Sequence, residues 1–481
     1  MNTSKALIHV AQRAAVLSVV CAAALAFGGC SGPRLDPNVP RHVVVISIDT
    51  ARADHFGFMG SDTVKTPRLD ALAAESIVFT DYMTVVPTTL ASHTTLFTGR
   101  YPMHHGVARN GFVVNESNEM LAETLKAAGF HTAGFAGSFA LDERFGFAQG
   151  FDHYDQDFSI FVGDGGADQN QRRAEHVTDA AVAYLDGHGI PGRLFLFVHY
   201  FDPHGPYAAP SPWNRMYDPL GGNGLYPADV VKSSRAFTTE RVEENARRVG
   251  LQYASEISYA DEHVGRLLDY LKERGVLDDA LVVLTTDHGE CMWEHGEEFG
   301  HGRTVYQATV HALCTFRLPG GEAAGTRVDQ LLANIDVLPT LLGVLKLEAP
   351  DGIDGEKVDL RDLETGIDLR VRFGEATKPH RNVETDPRWA NALKARCIRV
   401  GRYKYVWTPY AHTRELYDLN VDRDETNNLL VQPDEETARL AADFHTRLVE
   451  WTESADPLTS TFDPSQREES IRRLRSLGYL Q

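Results

Sequence analysis

Cysteine is scarce in this sequence: 5 in 481 residues, at positions 21, 30, 291, 314 and 397. No Cys-x-x-Cys pair occurs, which argues against a thiolate zinc site. Positive charge is also short. Lys and Arg number 47 against 67 Asp and Glu, a net charge of −20. Such an acidic balance argues against a nucleic-acid partner, because a phosphate backbone needs Lys and Arg to neutralise it. A small anionic substrate is not excluded, since a local cationic pocket overrides the global sign. The uncharged run from Ala14 to Phe27 is too short to cross a bilayer as a helix. No period of repeat-protein length is visible.

What is present begins with an export pattern. Lys5 and Arg13 form a basic region ahead of that apolar run, as in a secretory signal. The run ends in AFGGCSG, and the small residues before Cys30 resemble a bacterial lipoprotein cleavage box, with Phe27 less typical than Leu. The expectation is a lipoprotein signal over 1–29, a lipid anchor on Cys30 in the bacterial cell envelope (periplasm-facing or at the outer membrane), and a polar tether over 30–40. A soluble export signal cut near the same place is the alternative. Cys291, Cys314 and Cys397 then remain in the folded part. Export permits one disulfide, but three thiols name no pair.

A chain of this length suggests two domains. HVVVISI, LFLFVHY at 194–200 and ALVVLTT at 280–286 are runs typical of strands buried on both faces. HTAGFAG reads as another strand. Helices are expected over Pro67–Ser76, over Leu121–Ala128 with Gly129 beyond its end, over 176–185 and over about 242–274. In the last, Val249, Tyr253, Ile257, Val264, Leu268 and Leu271 recur near helical spacing and Gly275 stops the run. Strands alternating with helices mean an α/β domain around a doubly wound, mostly parallel sheet, here over 41–350, with 205–240 as a loop or lid. Beyond it, ARCIRVGRYKYVWTP reads as a hairpin, ELYDLNVD as a further strand, and Asp434 as the cap of a helix carrying Leu440, Phe444, Leu448 and Trp451 on one face. Residues 351–481 are thus expected to form a smaller C-terminal α+β subdomain.

Three buried runs end in ionisable groups: Asp49-Thr50, Asp202-Pro203-His204 and Asp287-His288-Gly289-Glu290. Ligands of open parallel sheets bind outside the carboxyl ends of the strands, so these clusters are expected to converge. Each residue alone has a plain structural explanation, such as a cap or a strand-end carboxylate. Together, two carboxylates and an imidazole suit Ca²⁺, Mg²⁺, Mn²⁺ or Zn²⁺. Residues 86–98, VPTTLASHTTLFT, bring six hydroxyls. Leu90, Thr94 and Phe97 have helical spacing and Gly99 ends the run. Thr89 would sit at the helix start, either as its cap or as a nucleophile where free N–H groups attract an anion.

These residues resemble the sulfatases of the alkaline phosphatase superfamily over about 41–481. VVVISIDTARADHFGFMG, TPRLDALAAESIVFTDYMT, LFTGRYPMHHGV, PHGPY, TTDHGE with EHGEEFGHGRTVYQ, DVLPTLL, RYKYVW with ELYDLNVDRDETNNL, and SLGYL fit that family in order. The resemblance implies one divalent metal, most often Ca²⁺, with Mn²⁺, Mg²⁺ and Zn²⁺ as alternatives. It implies Asp49, Asp287 and His288 as ligands, joined by Thr89 at the nucleophile position. His204 resembles the active-site histidine, and His301 or Arg303 the contact to the substrate anion. Asp202, His295 and His301 are a weaker set for a second metal, since no Asp-x-x-x-His pair accompanies them.

The departures change the chemistry. The family shows Cys or Ser followed by x-Pro-x-Arg; here Ala91 replaces the Pro and His93 the Arg, and Thr50 stands where many members have a second acid. Threonine carries a methyl on Cβ, so no formylglycine forms. An ester on a plain threonine must be resolved by a second attack on phosphorus or sulfur, which favours phosphate or phosphonate esters over sulfate. His93 and His204 would bind the anion or protonate the leaving oxygen. The expected substrate is a small anionic ester, carried on a glycan or a lipid in one version. Two other activities compete: a phosphoethanolamine or phosphoglycerol-type transferase, and a non-catalytic binder of anionic glycans.

Overall fold

A strand covered on both faces must be apolar at nearly every position, not at alternate ones. HVVVISI, LFLFVHY and ALVVLTT meet that demand. In the structure, a computed structural model, they are β1 (His42–Ile48), β5 (Leu194–Tyr200) and β6 (Ala280–Thr286), buried at every residue. The residues described are 39–158, 171–220, 239–296, 299–363, 370–377, 394–460 and 472–474. The chain divides into two units, Met1–Val39 and Pro40–Gln481, and all the strands and helices named below belong to the second. The expected signal over 1–29 and the tether up to 38 lie outside the described residues.

The three strands are the centre of a nine-stranded sheet. Joining them are β2 (Ile77–Met83), β3 (His131–Ala136), β4 (His153–Asp155), β7 (His311–Arg317), β8 (Arg327–Val328) and β9 (Leu332–Ala333). The order is β4-β3-β5-β1-β6-β7-β2-β8, with β9 also on β2. β7 runs antiparallel to both its neighbours. The other pairings are parallel. Register decides what happens at the strand ends. Ile48 pairs with Tyr200 on one side and Thr286 on the other, so Asp49 and Asp287 leave the sheet side by side.

The expected helices are present within a few residues: Pro67–Ala74, Leu121–Ala127, Ala174–His188 and Thr239–Glu273. Val249, Tyr253, Ile257, Val264, Leu268 and Leu271 of the last one are buried. Of the expected 205–240 loop, the part to residue 220 is irregular apart from one short turn of helix, Trp213–Arg215. Residues 221–238 lie outside the described set.

After residue 370 the plan changes. β10 (Val371–Glu375), β11 (Arg396–Val400), β12 (Tyr403–Thr408) and β13 (Thr413–Asp418) form a separate antiparallel sheet. Gly401, at φ 53°, turns β11 into β12 as the sequence suggests. Asp434 caps the helix Glu435–Glu453 by accepting from the Thr437 N–H at 2.8 Å. That helix buries Ala441, Phe444, Leu448 and Trp451. Leu440, expected on this face, is only half-buried, because the buried stripe runs through its neighbour Ala441. Trp451 stacks on Phe373 at 4.8 Å and meets the edge of Tyr101 at 5.4 Å. Cys291, Cys314 and Cys397 are buried, and no disulfide joins them.

Candidate active site

The site grows from the ends of β1 and β6. Just past β1 the chain turns sharply: Thr50 has φ 53°, which a β-branched residue adopts only under constraint. Two bonds supply it. The Thr50 N–H donates to Asp287 Oδ1 at 3.0 Å, and the Tyr253 hydroxyl donates to the Thr50 carbonyl at 2.7 Å. Asp287 Oδ1 also accepts from the His288 N–H at 2.8 Å. One oxygen of Asp287 is thereby fixed and the other is turned inward.

Asp49, Asp287 and His288 offer ligand atoms within 4.8 Å of one another. His288 Nε2 lies 3.4 Å from Asp287 Oδ2 and 3.8 Å from Asp49 Oδ1. Among the described residues, Asp49 Oδ1, Asp287 Oδ2 and His288 Nε2 are buried without a hydrogen-bond partner. His288 Nδ1 bonds the Gly289 carbonyl at 3.0 Å, and a carbonyl only accepts. Nδ1 therefore carries the proton and Nε2 turns a lone pair to the carboxylates. Lone pair against anion repels unless a cation lies between. Burial, then the charge of Glu290, raises the pKa of Asp49 well above the ordinary range. Burial, then Asp49, does the same to Asp287. Burial, then His301, lowers that of His288. Two costly carboxylates facing a neutral imidazole fit a divalent cation, whose binding would expel their protons.

Above this set begins the helix Thr89–Thr98. Its cap residue is Thr88, not Thr89, and Thr88 makes no side-chain cap bond. The Thr88 hydroxyl instead bonds the Pro87 carbonyl and the Thr377 hydroxyl. The other hydroxyls are also engaged in the fold. Ser92 donates to the Asp287 carbonyl at 2.8 Å, Thr94 to Leu90 and Thr98 to Thr94, while Thr95 meets His105 at 3.1 Å. Thr89 differs: its Oγ1 lies 3.4 Å from Asp49 Oδ2. Of the six, it is the hydroxyl aimed at the carboxylate set.

Imidazoles surround the rest. His301 packs on His288 with ring centres 4.4 Å apart and on His204 at 5.3 Å. His301 Nδ1 lies 3.3 Å from Glu290 Oε1, and Glu290 Oε2 accepts from Tyr207 at 3.1 Å. His93 is buried below, with Nδ1 donating to the Thr89 carbonyl at 2.7 Å and Nε2 accepting from Ser47 at 2.8 Å. Both its nitrogens thus serve the protein. Arg303 is half-buried, and no hydrogen bond or ion pair joins it to the described residues of the cluster. Asp202 accepts from the N–H of Ala174 at 2.7 Å and His295 stacks on Tyr306 at 3.9 Å. Neither belongs to a ligand-spaced group among the described residues.

Two residues, Asn110 and His199, join the site that the motifs did not single out, and Glu290, named there only as part of a strand-end cluster, gains a place in it. Asn110 accepts from the Leu90 N–H at 2.7 Å through Oδ1, and its buried Nδ2 has no partner among the described residues. Glu290 stands behind His301. His199, in the middle of LFLFVHY, lies under Asp49 with Nε2 3.4 Å from Oδ2. Burial pushes its pKa down to about 3. The signal for His199 is one histidine in a strand buried on both faces. Asn110 carries no comparable signal.

A doubly wound sheet presenting strand-end carboxylates and a helix-start hydroxyl to one spot is the plan of an alkaline phosphatase-like ester hydrolase. Comparison with known proteins supplies the family. The sulfatase family model matches residues 41–347, and a model of the C-terminal part of N-sulphoglucosamine sulphohydrolase matches 294–454. The chain belongs to the sulfatase family, and it is a sulfuric or phosphoric ester hydrolase. It is 27% identical to an ulvan-active sulfatase of Formosa agariphila over 443 residues, 86% of this chain and 82% of that one. It is 25% identical to a multifunctional alkaline phosphatase superfamily protein of Trinickia caryophylli, over 85% of this chain and 95% of that one. Its fold is similar to that of a phosphonate monoester hydrolase of Agrobacterium radiobacter, with TM-score 0.68 and 24% identity over 86% of this chain and 96% of that one.

Proposed function

We propose that this protein is a metal-dependent hydrolase of phosphate, phosphonate or sulfate esters in which Thr89 itself is the nucleophile. The observation that carries the reading is the Thr89 hydroxyl, 3.4 Å from Asp49 in a set of buried, unsatisfied ligand atoms. Asp49, Asp287, His288 and Thr89 would hold the cation, which when bound lowers the pKa of a coordinated hydroxyl and neutralises the ester's charge. Asp49 Oδ2 receives the Thr89 proton as the oxygen attacks phosphorus or sulfur. The bond to the alcohol breaks, and the alcohol oxygen takes a proton from the His204–His301 pair. Glu290 keeps His301 oriented for that transfer. Water then attacks phosphorus or sulfur, giving a proton back to the histidine pair; the bond to Thr89 Oγ1 breaks, Oγ1 retakes its proton from Asp49, and the inorganic or phosphonate anion leaves. Asn110 Nδ2 supplies a donor at the helix start, where the dipole already favours an anion. His93, occupied on both nitrogens, acts by fixing the first turn of the helix. Arg303, half-buried and two positions along the chain from His301, would be a further anion contact once substrate is bound.

A paired screen tests this: aryl sulfate, phosphate monoester, diester and phosphonate, each with Ca²⁺, Mn²⁺ or Zn²⁺ added to chelator-treated protein. Turnover of the phosphorus esters is expected to exceed that of the sulfate and to vanish without metal. Metal-independent turnover, or none on any ester, would defeat the proposal. Water as acceptor is the expected product pattern; transfer to a lipid or sugar would mean a transferase, and metal-free binding of an anionic glycan without turnover a binding protein.

The alcohol part is read as borne on a glycan or lipid, with the 205–240 segment as lid over a catalytic region at 41–350 and 351–481 as its subdomain. Export and lipid attachment through Cys30 complete the proposal, motivated by AFGGCSG. Mass spectrometry of the mature N-terminus is expected to show a lipid-modified cysteine; an unmodified start at Ser31 would exclude the anchor.

A further inference from the structure

We infer that Thr377, in the C-terminal part of the chain, is a positioning residue of the active site: its hydroxyl draws Thr88 away from capping the nucleophile's helix, and its N–H holds the turn between His301 and Arg303. The inference rests on the reading of Thr89 as nucleophile and concerns what sets that hydroxyl in place.

Thr377 lies two residues beyond the end of β10 and is 0% exposed. The chain leading to it is tied down residue by residue. The Glu375 N–H donates to the Val85 carbonyl at 2.9 Å, and the Ala376 N–H to the Ala395 carbonyl at 2.8 Å. The Glu375 carboxylate pairs with buried Lys394 at 3.1 Å. The end of β10 is thereby laid along residues 85–88, the segment that leads into the helix of Thr89.

A hydroxyl has one proton to give. Thr88 Oγ1 donates its own to the Pro87 carbonyl at 2.7 Å, so in its bond with Thr377 Oγ1 it accepts and Thr377 donates. Thr377 Oγ1 also comes within 3.4 Å of the Gly302 carbonyl, but that carbonyl is already served at 2.8 Å by the Thr377 N–H. The side chain therefore acts on Thr88 and the backbone acts on Gly302.

A threonine at a cap position ordinarily turns its oxygen to an N–H of the first turn. Thr88 has the extended backbone that suits this, φ −159° and ψ 133°, yet makes no such bond. Held the other way by Thr377, its oxygen leaves the start of the helix free to face an anion, and the residue ahead of Thr89 is fixed. On the opposite side, Gly302, at φ 84°, makes the turn between His301 and Arg303. One buried residue thus sets the attacking oxygen against the groups that meet the anion and the leaving oxygen. Packing alone asks for no hydroxyl here. The adjacent Ala376 belongs to an apolar cluster with Met83, Val305, Val310 and Ala395, and valine at both 88 and 377 would leave nothing polar to satisfy.

The test is kinetics of the full chain on the aryl phosphate or phosphonate it hydrolyses fastest, with the supporting divalent ion present. Thr377→Val keeps the shape and the N–H and removes the hydroxyl. It should lower kcat about 10–100-fold, the scale of a small misplacement of reacting groups, and by more than it raises KM, with the melting temperature near that of the wild type. Thr377→Ser should restore most of kcat. Thr88→Val should reproduce the loss, and the double variant should lose little more than either alone, because both remove one bond. A crystal structure of Thr377→Ala is expected to show Thr88 Oγ1 turned onto a first-turn N–H. Unchanged kcat in Thr377→Val, a loss confined to KM, no recovery by serine, additive losses, or a Thr88 side chain that stays in place would each overturn the inference. Should Thr377→Val not fold, Thr88→Val with rescue by Thr88→Ser decides in its place. If the wild type hydrolyses no ester, or Thr89→Ala keeps full turnover, the nucleophile reading itself has failed.

Discussion

Thr89→Ala should lose at least about 10⁴-fold in turnover, a loss on the scale seen when other hydrolases lose their nucleophile. The expectation follows from the fate of the neighbouring hydroxyls. Ser92, Thr94, Thr95 and Thr98 are bonded into the fold, so no second oxygen of this helix stands ready to replace Thr89. The protein itself should survive the change. Thr89 is the first residue of its helix and is not its cap, and the backbone bonds that fix the turn, from Leu90 to Asn110 and from Ser92 to the Thr88 carbonyl, do not involve its side chain. Thr89→Ser keeps the oxygen and should retain measurable turnover. Single-turnover kinetics on an aryl phosphate or phosphonate, run beside a melting curve, checks both variants. Near wild-type turnover by the alanine variant would remove Thr89 from the chemistry, leaving water or another residue as the attacking group.

Much of this site is legible in the amino-acid order alone, for a definite reason. A strand buried on both faces announces itself as an unbroken apolar run, and polar residues directly after such runs belong to the ligand-binding edge of the sheet. Asp49 and Asp287 stand out that way. Their adjacency is not readable, because it depends on Ile48 pairing with Thr286, and register between strands over 200 residues apart leaves no local mark. β7 escapes for the opposite reason. HALCTFR is nearly all buried yet carries three polar side chains, of which His311 bonds the Thr80 carbonyl and Arg317 bonds Glu75 and the Leu277 carbonyl. The hydroxyl-rich pattern places Thr89 correctly at a helix start, but its rival role as a cap belongs to the residue before it. His199 reads as mere strand because one histidine among aromatics resembles packing.

The largest expected effect on stability lies away from the metal cage, at Asp336. This carboxylate is fully buried and accepts four donors: Arg372 Nε and Nη2, both at 3.0 Å, and the N–H groups of Ala333 and Glu356 at 2.9 and 2.8 Å. It thereby pins β10, which carries Arg372, to the helix Asn334–Val344. Asp336→Ala would strand a guanidinium only 2% exposed beside one carbonyl and the largely exposed Glu356. Breaking one side of such a pair costs about 3–5 kcal/mol, far more than the pair's net contribution over an apolar replacement. Asp336→Leu with Arg372→Met should accordingly be less destabilised than Asp336→Ala alone. Function should follow, because Asn334 starts the same helix and bonds Ser92 at 3.1 Å and the Val85 N–H at 3.0 Å, holding the first turn behind Thr89. Loosening that helix should therefore lower kcat more than it raises KM. Denaturant unfolding of the two variants, read with their kinetics, separates the outcomes. An alanine variant within about 1 kcal/mol of the wild type would show that the C-terminal sheet does not depend on this contact, and a purely KM effect would show that the helix does not position Thr89.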